Sequence, residues 1–235
     1  MTDPTPSPIK NRILAALPKS DYQNLSVHLE PVELKHGQVL YEIGETIEHL
    51  YFPSNAMISL VTEMEDGKIV EVGLIGNDGA SGASVLMGRP NSFERALIQI
   101  PNGGVRIKAS VVKKEFDKGG ELQRLLLGYV TDLMRQVSQT AACNASHTTE
   151  ERLARWLLMC RDRVESLHFK LTQEFLAEML GTRRATVSVA AITLQSANLI
   201  EYSRGHITII EEGGLEAFSC ECYKMLRQAT ADGNH

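Results

Sequence analysis

Apolar and polar positions divide the chain into three stretches with different periodicities. The first runs from about residue 32 to residue 110 and alternates short apolar runs with glycine turns. It predicts β-strands at residues 38–41, 49–52, 57–62, 68–74 and 97–100, with breaks at Gly37, Gly44, Gly67, Gly76 and residues 102–104. Two short helices are predicted before it, at residues 11–17 and 21–29. Short strands separated by such turns are typical of a small barrel, sandwich or jelly roll.

The second stretch predicts one long helix over residues 120–145. Steps of four and three residues form a coiled-coil pattern, which predicts the seam of a dimer along Leu122, Leu126, Tyr129, Leu133, Gln136, Thr140 and Cys143. A second stripe lies beside it, and we expect this one to pack on the chain's own barrel: Leu125, Val130, Met134 and Val137. Thr148 or Thr149 is suited to cap a further helix that starts near Glu150.

The third stretch, residues 171–210, predicts two short helices and a hairpin. The first helix has an apolar face and stops at Gly181, a residue that adopts positive φ without strain. We expect Thr182 to cap a second helix over residues 182–195, with an inner face of Val187, Ala190, Ala191 and Leu194. Arg183 and Arg184 are its first exposed positions, and the hairpin tip at residues 202–206 resembles a wing. These features together predict a DNA-binding helix-turn-helix.

Composition is consistent with an ordinary globular protein. The chain has 235 residues, 43% of them hydrophobic, and a net charge of −5, which is unusual for a DNA-binding protein. However, residues 181–210 carry Arg183, Arg184 and Arg204 against Glu201 alone, a local balance of +2. The sequence has no run of about 18 apolar residues, so we expect no membrane span. Its first eleven residues are polar and proline-rich, so we expect no secretory leader. We therefore expect cytoplasmic residence and no membrane partner.

The four cysteines do not form the framework of a secreted protein. Cys220 and Cys222 are the close pair, and we interpret them as two small residues on a C-terminal helix. No metal-ligand spacing is found, so we expect no metal site. A thiol or redox sensor that uses this pair stays an alternative. No Ser/His/Asp set and no phosphate-binding glycine loop is present, so we expect no catalytic residues and no enzyme.

Three segments resemble the Crp/Fnr family of bacterial transcription regulators: VELKHGQVLYEIGE at residues 32–45, EERLARWLL at residues 150–158, and residues 171–210. The resemblance covers nearly the whole chain. It implies an α+β fold with a jelly-roll-like β-roll of the cyclic-nucleotide-binding type at residues 1–118, a dimerisation helix and hinge at residues 119–147, and a winged helix-turn-helix domain at residues 148–235. It also implies a homodimer, a palindromic operator in double-stranded DNA, and RNA polymerase as a partner.

The resemblance places the effector pocket at Gly82, Ala83, Ser84 and Arg95. Nucleotide-binding members hold the ribose with a glutamate, where this chain has Ala83. Losing that charge-assisted hydrogen bond, about 1.5–3 kcal/mol, weakens binding roughly ten- to hundredfold. We therefore expect no cofactor, and Arg95 to form a structural ion pair. A cyclic-nucleotide-responsive regulator stays an alternative. No cysteine precedes Cys143, which excludes the family's N-terminal iron–sulfur site, whereas the histidines of the β-roll leave haem open.

The resemblance also assigns the DNA contacts. Arg184 matches an arginine that members use against guanine, where bidentate contact discriminates by about 1–3 kcal/mol. Ala185 and Val189 depart from the common glutamate and arginine, which predicts an altered half-site with apolar contact to a thymine methyl. Arg204 is expected on the DNA backbone. The predicted DNA-binding set is Arg183, Arg184, Thr186, Ser188, Val189 and Arg204.

Overall fold

The computed structural model describes residues 10–232, with side chains to residue 228. The polar N-terminal stretch, from which we expect cytoplasmic residence, lies almost entirely outside this range. The described helices are α1 (Arg12–Ala15), α2 (Lys19–Ser26), α3 (Ala109–Phe116), α4 (Glu121–Ser146), α5 (Thr149–Val164), α6 (Gln173–Met179), α7 (Arg184–Ser196), α8 (Glu212–Phe218) and α9 (Glu221–Asp232). A short 3-10 helix spans Ala83–Met87.

The strands form two antiparallel sheets in the N-terminal half and one in the C-terminal half. They are β1 (Glu30–Leu34), β2 (Val39–Tyr41), β3 (His49–Pro53), β4 (Met57–Glu63), β5 (Ile69–Ile75), β6 (Arg95–Ile100), β7 (Asn102–Lys108), β8 (His168–Lys170), β9 (Ile200–Ser203) and β10 (His206–Ile209). The sheet orders are β2-β6-β4-β5, β1-β7-β3 and β8-β10-β9. The predicted fold class, a β-roll followed by a helix-turn-helix, is confirmed. The predicted domain limits stay a prediction.

One predicted strand break is wrong. Residues 102–104 begin β7, which pairs with β1 on one side and β3 on the other. Gly104 is needed for close approach rather than for a turn, because a Cβ there would lie 2.8 Å from the Phe52 carbonyl oxygen. A glycine pair occurs both in turns and where strands approach closely, so only the pairing of β7 with β1 and β3 distinguishes the two.

The long helix α4 spans 26 residues and packs against its own β-roll. The stripe predicted as a dimer seam is largely buried inside the chain: Leu122, Leu126 and Tyr129 join the core with the N-terminal helices. Gln136 accepts from the Leu74 backbone nitrogen at 2.7 Å and donates to the Leu74 carbonyl at 3.1 Å. The assignment of the first stripe to the dimer seam is therefore wrong. In the second stripe, Leu125 and Val130 are buried in the same core as predicted, whereas Met134 is 65% exposed.

The C-terminal half packs on the same β-roll. A capping box of Thr148 and Glu151 starts α5, as the threonines predict. Trp156 of α5 is buried and donates its indole hydrogen to the Glu71 carboxylate at 2.8 Å, and Ser59 donates to the other oxygen at 2.6 Å. Burial raises the pKa of Glu71 to about 7. These hydrogen bonds lie where α5 packs on β4 and β5 of the β-roll, beside an apolar core that the two halves share. Within the described residues no helix is long and apolar enough to cross a membrane.

Candidate nucleic-acid interface and ligand pocket

The turn between α6 and α7 has a Schellman geometry. Gly181 adopts φ +57°, its N–H bonds to the Glu178 carbonyl at 3.1 Å, and the Thr182 N–H bonds to the Ala177 carbonyl at 2.9 Å. Thr182 is therefore used in ending α6, so its predicted role as the cap of α7 is wrong. Arg183 occupies the N-cap position, without a side-chain cap, and the second helix begins at Arg184 rather than residue 182.

The inner and outer faces of α7 separate clearly. Val187, Ala190, Ala191 and Leu194 are buried. Buried Arg152 of α5 donates to the Leu180 carbonyl at the end of α6, which fixes the turn against α5. The outer face exposes most of the predicted contact residues together with a further apolar one: Arg183, Arg184, Ala185, Thr186, Val189 and Ile192. Sequence reasoning did not include Ile192, which is 61% exposed one turn beyond Val189.

Two predicted contact residues already have partners in the protein. Arg184 forms an ion pair with Glu174 of α6 at 2.7 Å, with both side chains more than half exposed. Such a surface pair contributes about 0–1 kcal/mol, so DNA can displace it at little cost. Ser188 is half-buried, and its hydroxyl lies 2.8 Å from Gln173 Oε1. Ser188 therefore contacts α6 rather than standing free on the outer face.

The hairpin of β9 and β10 forms a wing with a cationic end. Arg204 and Gly205 at its tip both have positive φ, 49° and 77°, as a tight type I′ turn requires. Strand β8 extends the sheet and places exposed Lys170 directly opposite His206. Sequence reasoning missed Lys170, because the pairing of β8 with a hairpin far along the chain leaves no local signal. A groove joins the wing to the start of α7, lined by residues that include Gln173, Glu174, Arg184, Tyr202 and Arg204.

Comparison with known proteins agrees with this geometry. The model of the Crp-like helix-turn-helix domain matches residues 151–218, from α5 to the end of α8. Residues 151–218 therefore form a Crp-like helix-turn-helix domain, and the chain is a DNA-binding transcription regulator. The global nitrogen regulator of Synechococcus elongatus is 24% identical over 190 residues, which cover 77% of this chain and 86% of that protein. Its counterpart in a Synechocystis species is 23% identical over 215 residues, 85% of this chain and 92% of that protein.

Solved structures of Crp/Fnr-type regulators share the fold. FixK2 from Bradyrhizobium japonicum matches with a TM-score of 0.68 at 17% identity, over 82% of this chain and 98% of that one. The c-di-GMP responsive global regulator CLP of Xanthomonas campestris matches with a TM-score of 0.67 at 13% identity, over 83% of this chain and 100% of that one. At these identities the likeness concerns the fold alone.

The Crp/Fnr-type fold here contains a cavity of about 380 Å³ between the β-roll and α4. Gly82, Ala83 and Ser84, three of the four predicted effector residues, line it. Arg95 does not. Its guanidinium pairs with Glu42, directly after β2, at 2.6 Å and with Glu63 of β4 at 3.1 Å. The structure therefore brings together three of the predicted pocket residues and places the fourth outside.

The electrostatics of this cavity are set by one carboxyl group. Among the described lining residues, Glu94 alone has an ionisable side chain, and the others are apolar or small. Burial raises the pKa of Glu94 to about 7. The sequence motif pointed to Arg95 rather than to its neighbour Glu94. Glu94 directly precedes β6 and lines the cavity, whereas Arg95, the first residue of that strand, is held by Glu42 and Glu63.

Proposed function

We propose that this Crp/Fnr-type regulator acts in the cytoplasm as a homodimer that reads a two-fold-symmetric operator in double-stranded DNA. Helix α7 enters the major groove from its N-terminal end, and the wing contacts the backbone. The exposed outer face of α7, with Arg183 and Arg184 at its start, carries this proposal. Arg184 reads a guanine, Ala185 and Val189 contact thymine methyl groups, and Arg204 and Lys170 neutralise phosphates. Selection of binding sites from random DNA tests it, with a palindromic motif as the expected product.

The dimer seam that we propose lies on the exposed face of α4. Leu127, Met134 and Val137 are apolar side chains with exposures of 46%, 65% and 36%. Residues 127, 131, 134 and 138 follow steps of four, three and four, the spacing of a coiled-coil seam. Pairing two copies along this face buries apolar surface that the chain leaves in water. It also fixes the distance between the two copies of α7. That distance must be about 34–36 Å for both helices to reach successive major grooves.

Control by a small molecule is proposed at the cavity between the β-roll and α4. Met134, Val137 and Ser138 belong to its lining and also lie on or beside the proposed seam. A ligand bound there contacts the dimer helix directly, so it can favour one spacing of the two DNA-binding domains over another. By analogy with Crp/Fnr regulators, we propose that the DNA-bound dimer contacts RNA polymerase.

The cavity is suited to an apolar, uncharged ligand rather than to a cyclic nucleotide. The phosphate of a cyclic nucleotide would meet Glu94, and no described lining residue carries a positive charge to hold it. Ala83 also supplies no acceptor for the ribose hydroxyl. Calorimetric titration with cyclic AMP and cyclic GMP is expected to show no saturable binding up to about 1 mM, a limit that corresponds to about −4 kcal/mol. Stoichiometric binding in the micromolar range would contradict this.

A further inference from the structure

Three cysteines and a histidine that are distant in sequence meet at the hinge between α4 and α5. Cys143 lies in the last turn of α4, His147 follows that helix, Cys220 precedes α9 and Cys222 lies in its first turn. The three Sγ atoms and one His147 ring nitrogen all lie within 4.8 Å of one another. Cys143 Sγ is 3.5 Å from Cys220 Sγ, and Cys222 Sγ is 3.6 Å from His147 Nδ1. The cysteines are buried, and the His147 side chain is 16% exposed.

We propose that these four residues bind one Zn²⁺ ion as a closed Cys₃His site. Zinc in structural sites is tetrahedral, with Zn–S distances of about 2.3 Å and Zn–N distances of about 2.0–2.1 Å. A tetrahedron of that size has edges of about 3.5–3.8 Å. The Cys143–Cys220 and Cys222–His147 distances already match those edges, and the 4.8 Å limit means that the other ligand pairs need to close by at most about 1 Å.

Groups around the cluster are arranged as in metal sites. His147 Nε2 lies 3.1 Å from Glu221 Oε2, which leaves Nδ1 facing Cys222 and free to bind the ion. This is the carboxylate–histidine–metal arrangement that orients a ligating imidazole and raises its basicity. Gln139 Nε2 lies 3.0 Å from Cys222 Sγ and donates to it, as amide groups do to thiolates in such sites.

Charge balance also favours a metal–thiolate site. Zn²⁺ with three thiolates and a neutral imidazole carries a net charge of −1. Arg152 and Arg155 of α5 are 8% and 3% exposed and lie within electrostatic range of Cys143. Their Nε atoms have no hydrogen-bond partner in the described part of the chain. Two buried cations with unsatisfied donors are costly beside neutral thiols, whereas an anionic zinc–thiolate centre offsets that cost.

The site would connect the hinge to the end of the DNA-binding domain. Two ligands come from the end of α4 and the hinge, and two from the start of α9, so the ion fixes the position of α9 relative to the dimer helix. All four ligands are protein groups, which is the pattern of structural rather than catalytic zinc. As each thiol releases its proton on binding, a reduced chain that takes up one ion loses up to three protons to solvent. A Cys143–Cys220 disulfide would leave His147 and Cys222 without a role.

The test is zinc stoichiometry in the full-length chain, purified with a thiol reductant, loaded with Zn²⁺ and dialysed. One ion per chain is expected by elemental analysis. In chelator competition Cys222→Ala and His147→Ala should bind at least tenfold more weakly. Cys160→Ala is the matched control, because Cys160 is a buried thiol of α5 outside the cluster. Chelation should lower the midpoint of thermal unfolding by about 10 °C in the wild type and Cys160→Ala, and by much less in Cys222→Ala.

Several results would overturn the proposal. One is a reduced wild-type chain that retains no zinc, and another is equal affinity in the wild type and Cys222→Ala. Recovery of a Cys143–Cys220 disulfide together with no zinc binding would replace the metal site with a thiol sensor. If Cys222→Ala does not fold, Co²⁺ is added to the wild type instead. Thiolate-to-cobalt charge-transfer bands with tetrahedral ligand-field bands are expected, and their absence contradicts the site. None of these readouts depends on DNA binding.

Discussion

Replacing Arg184 with alanine is expected to lower affinity for the specific operator at least about 30-fold. Each bidentate contact to guanine discriminates by about 1–3 kcal/mol, and a symmetric dimer loses two of them. The change also leaves Glu174 without its ion-pair partner near the phosphates, which adds repulsion. Affinity for scrambled DNA should fall much less, since non-specific binding depends on the summed phosphate contacts. Fluorescence anisotropy with operator and scrambled duplexes, at two salt concentrations, measures both.

The matched control for Arg184 is Arg106→Ala. Arg106 is also a partly exposed arginine in an ion pair, with Glu30, but it lies on β7 of the β-roll. It should change neither specific nor non-specific affinity appreciably. The Arg184→Ala protein should keep the mass of the dimer. Equal affinity for operator and scrambled DNA in both wild type and Arg184→Ala would contradict base reading by α7.

Replacing Met134 with aspartate is expected to convert the dimer into a monomer. Met134 is 65% exposed in the single chain, so the charge costs the fold of one chain little. In the proposed seam two such carboxylates would be buried close together, and an uncompensated buried charge costs about 3–5 kcal/mol. The dissociation constant of the dimer should therefore rise more than about 100-fold. Light scattering should report the 26.0 kDa chain mass instead of twice that value.

Met225→Asp is the matched control for the dimer seam. Met225 is an exposed methionine on another helix, α9, with 51% exposure. Its substitution should leave both mass and operator affinity unchanged, whereas Met134→Asp should lose operator binding together with dimerisation. Two results would contradict the claim that dimerisation along α4 is required for operator binding: a Met134→Asp protein that stays a dimer, or a monomer that binds the full operator as tightly as the wild type.

Local sequence signals predicted the DNA-binding element well because its rules are local. Gly181 ends α6, and the periodicity of α7 places its inner face correctly, since both depend on residues within two turns. Thr182 was assigned to the wrong helix because a Schellman turn and an N-cap use adjacent residues. The structure differs by one residue: the Thr182 N–H closes the turn on the Ala177 carbonyl, and Arg183 is the N-cap of α7.

Tertiary pairing explains the remaining differences. Two apolar stripes on α4 are equally good candidates for a seam. Tertiary contacts, such as that of Gln136 with Leu74, are needed to show that the first stripe packs inside the chain. A glycine pair such as Gly103 and Gly104 is compatible both with a turn and with the close approach of two strands, so the sequence alone does not separate the two cases. The cluster of Cys143, His147, Cys220 and Cys222 joins residues almost 80 positions apart, so no sequence spacing indicates it.

Selection of binding sites from random double-stranded DNA tests the central claim most directly, which is that two copies of α7 read one operator. The account predicts an enriched motif with two-fold symmetry, whose half-sites are centred one helical turn, about 10–10.5 base pairs, apart. Each half-site should contain a guanine whose enrichment is lost with Arg184→Ala. An asymmetric single half-site, or no enriched motif with a folded wild-type protein, would contradict it.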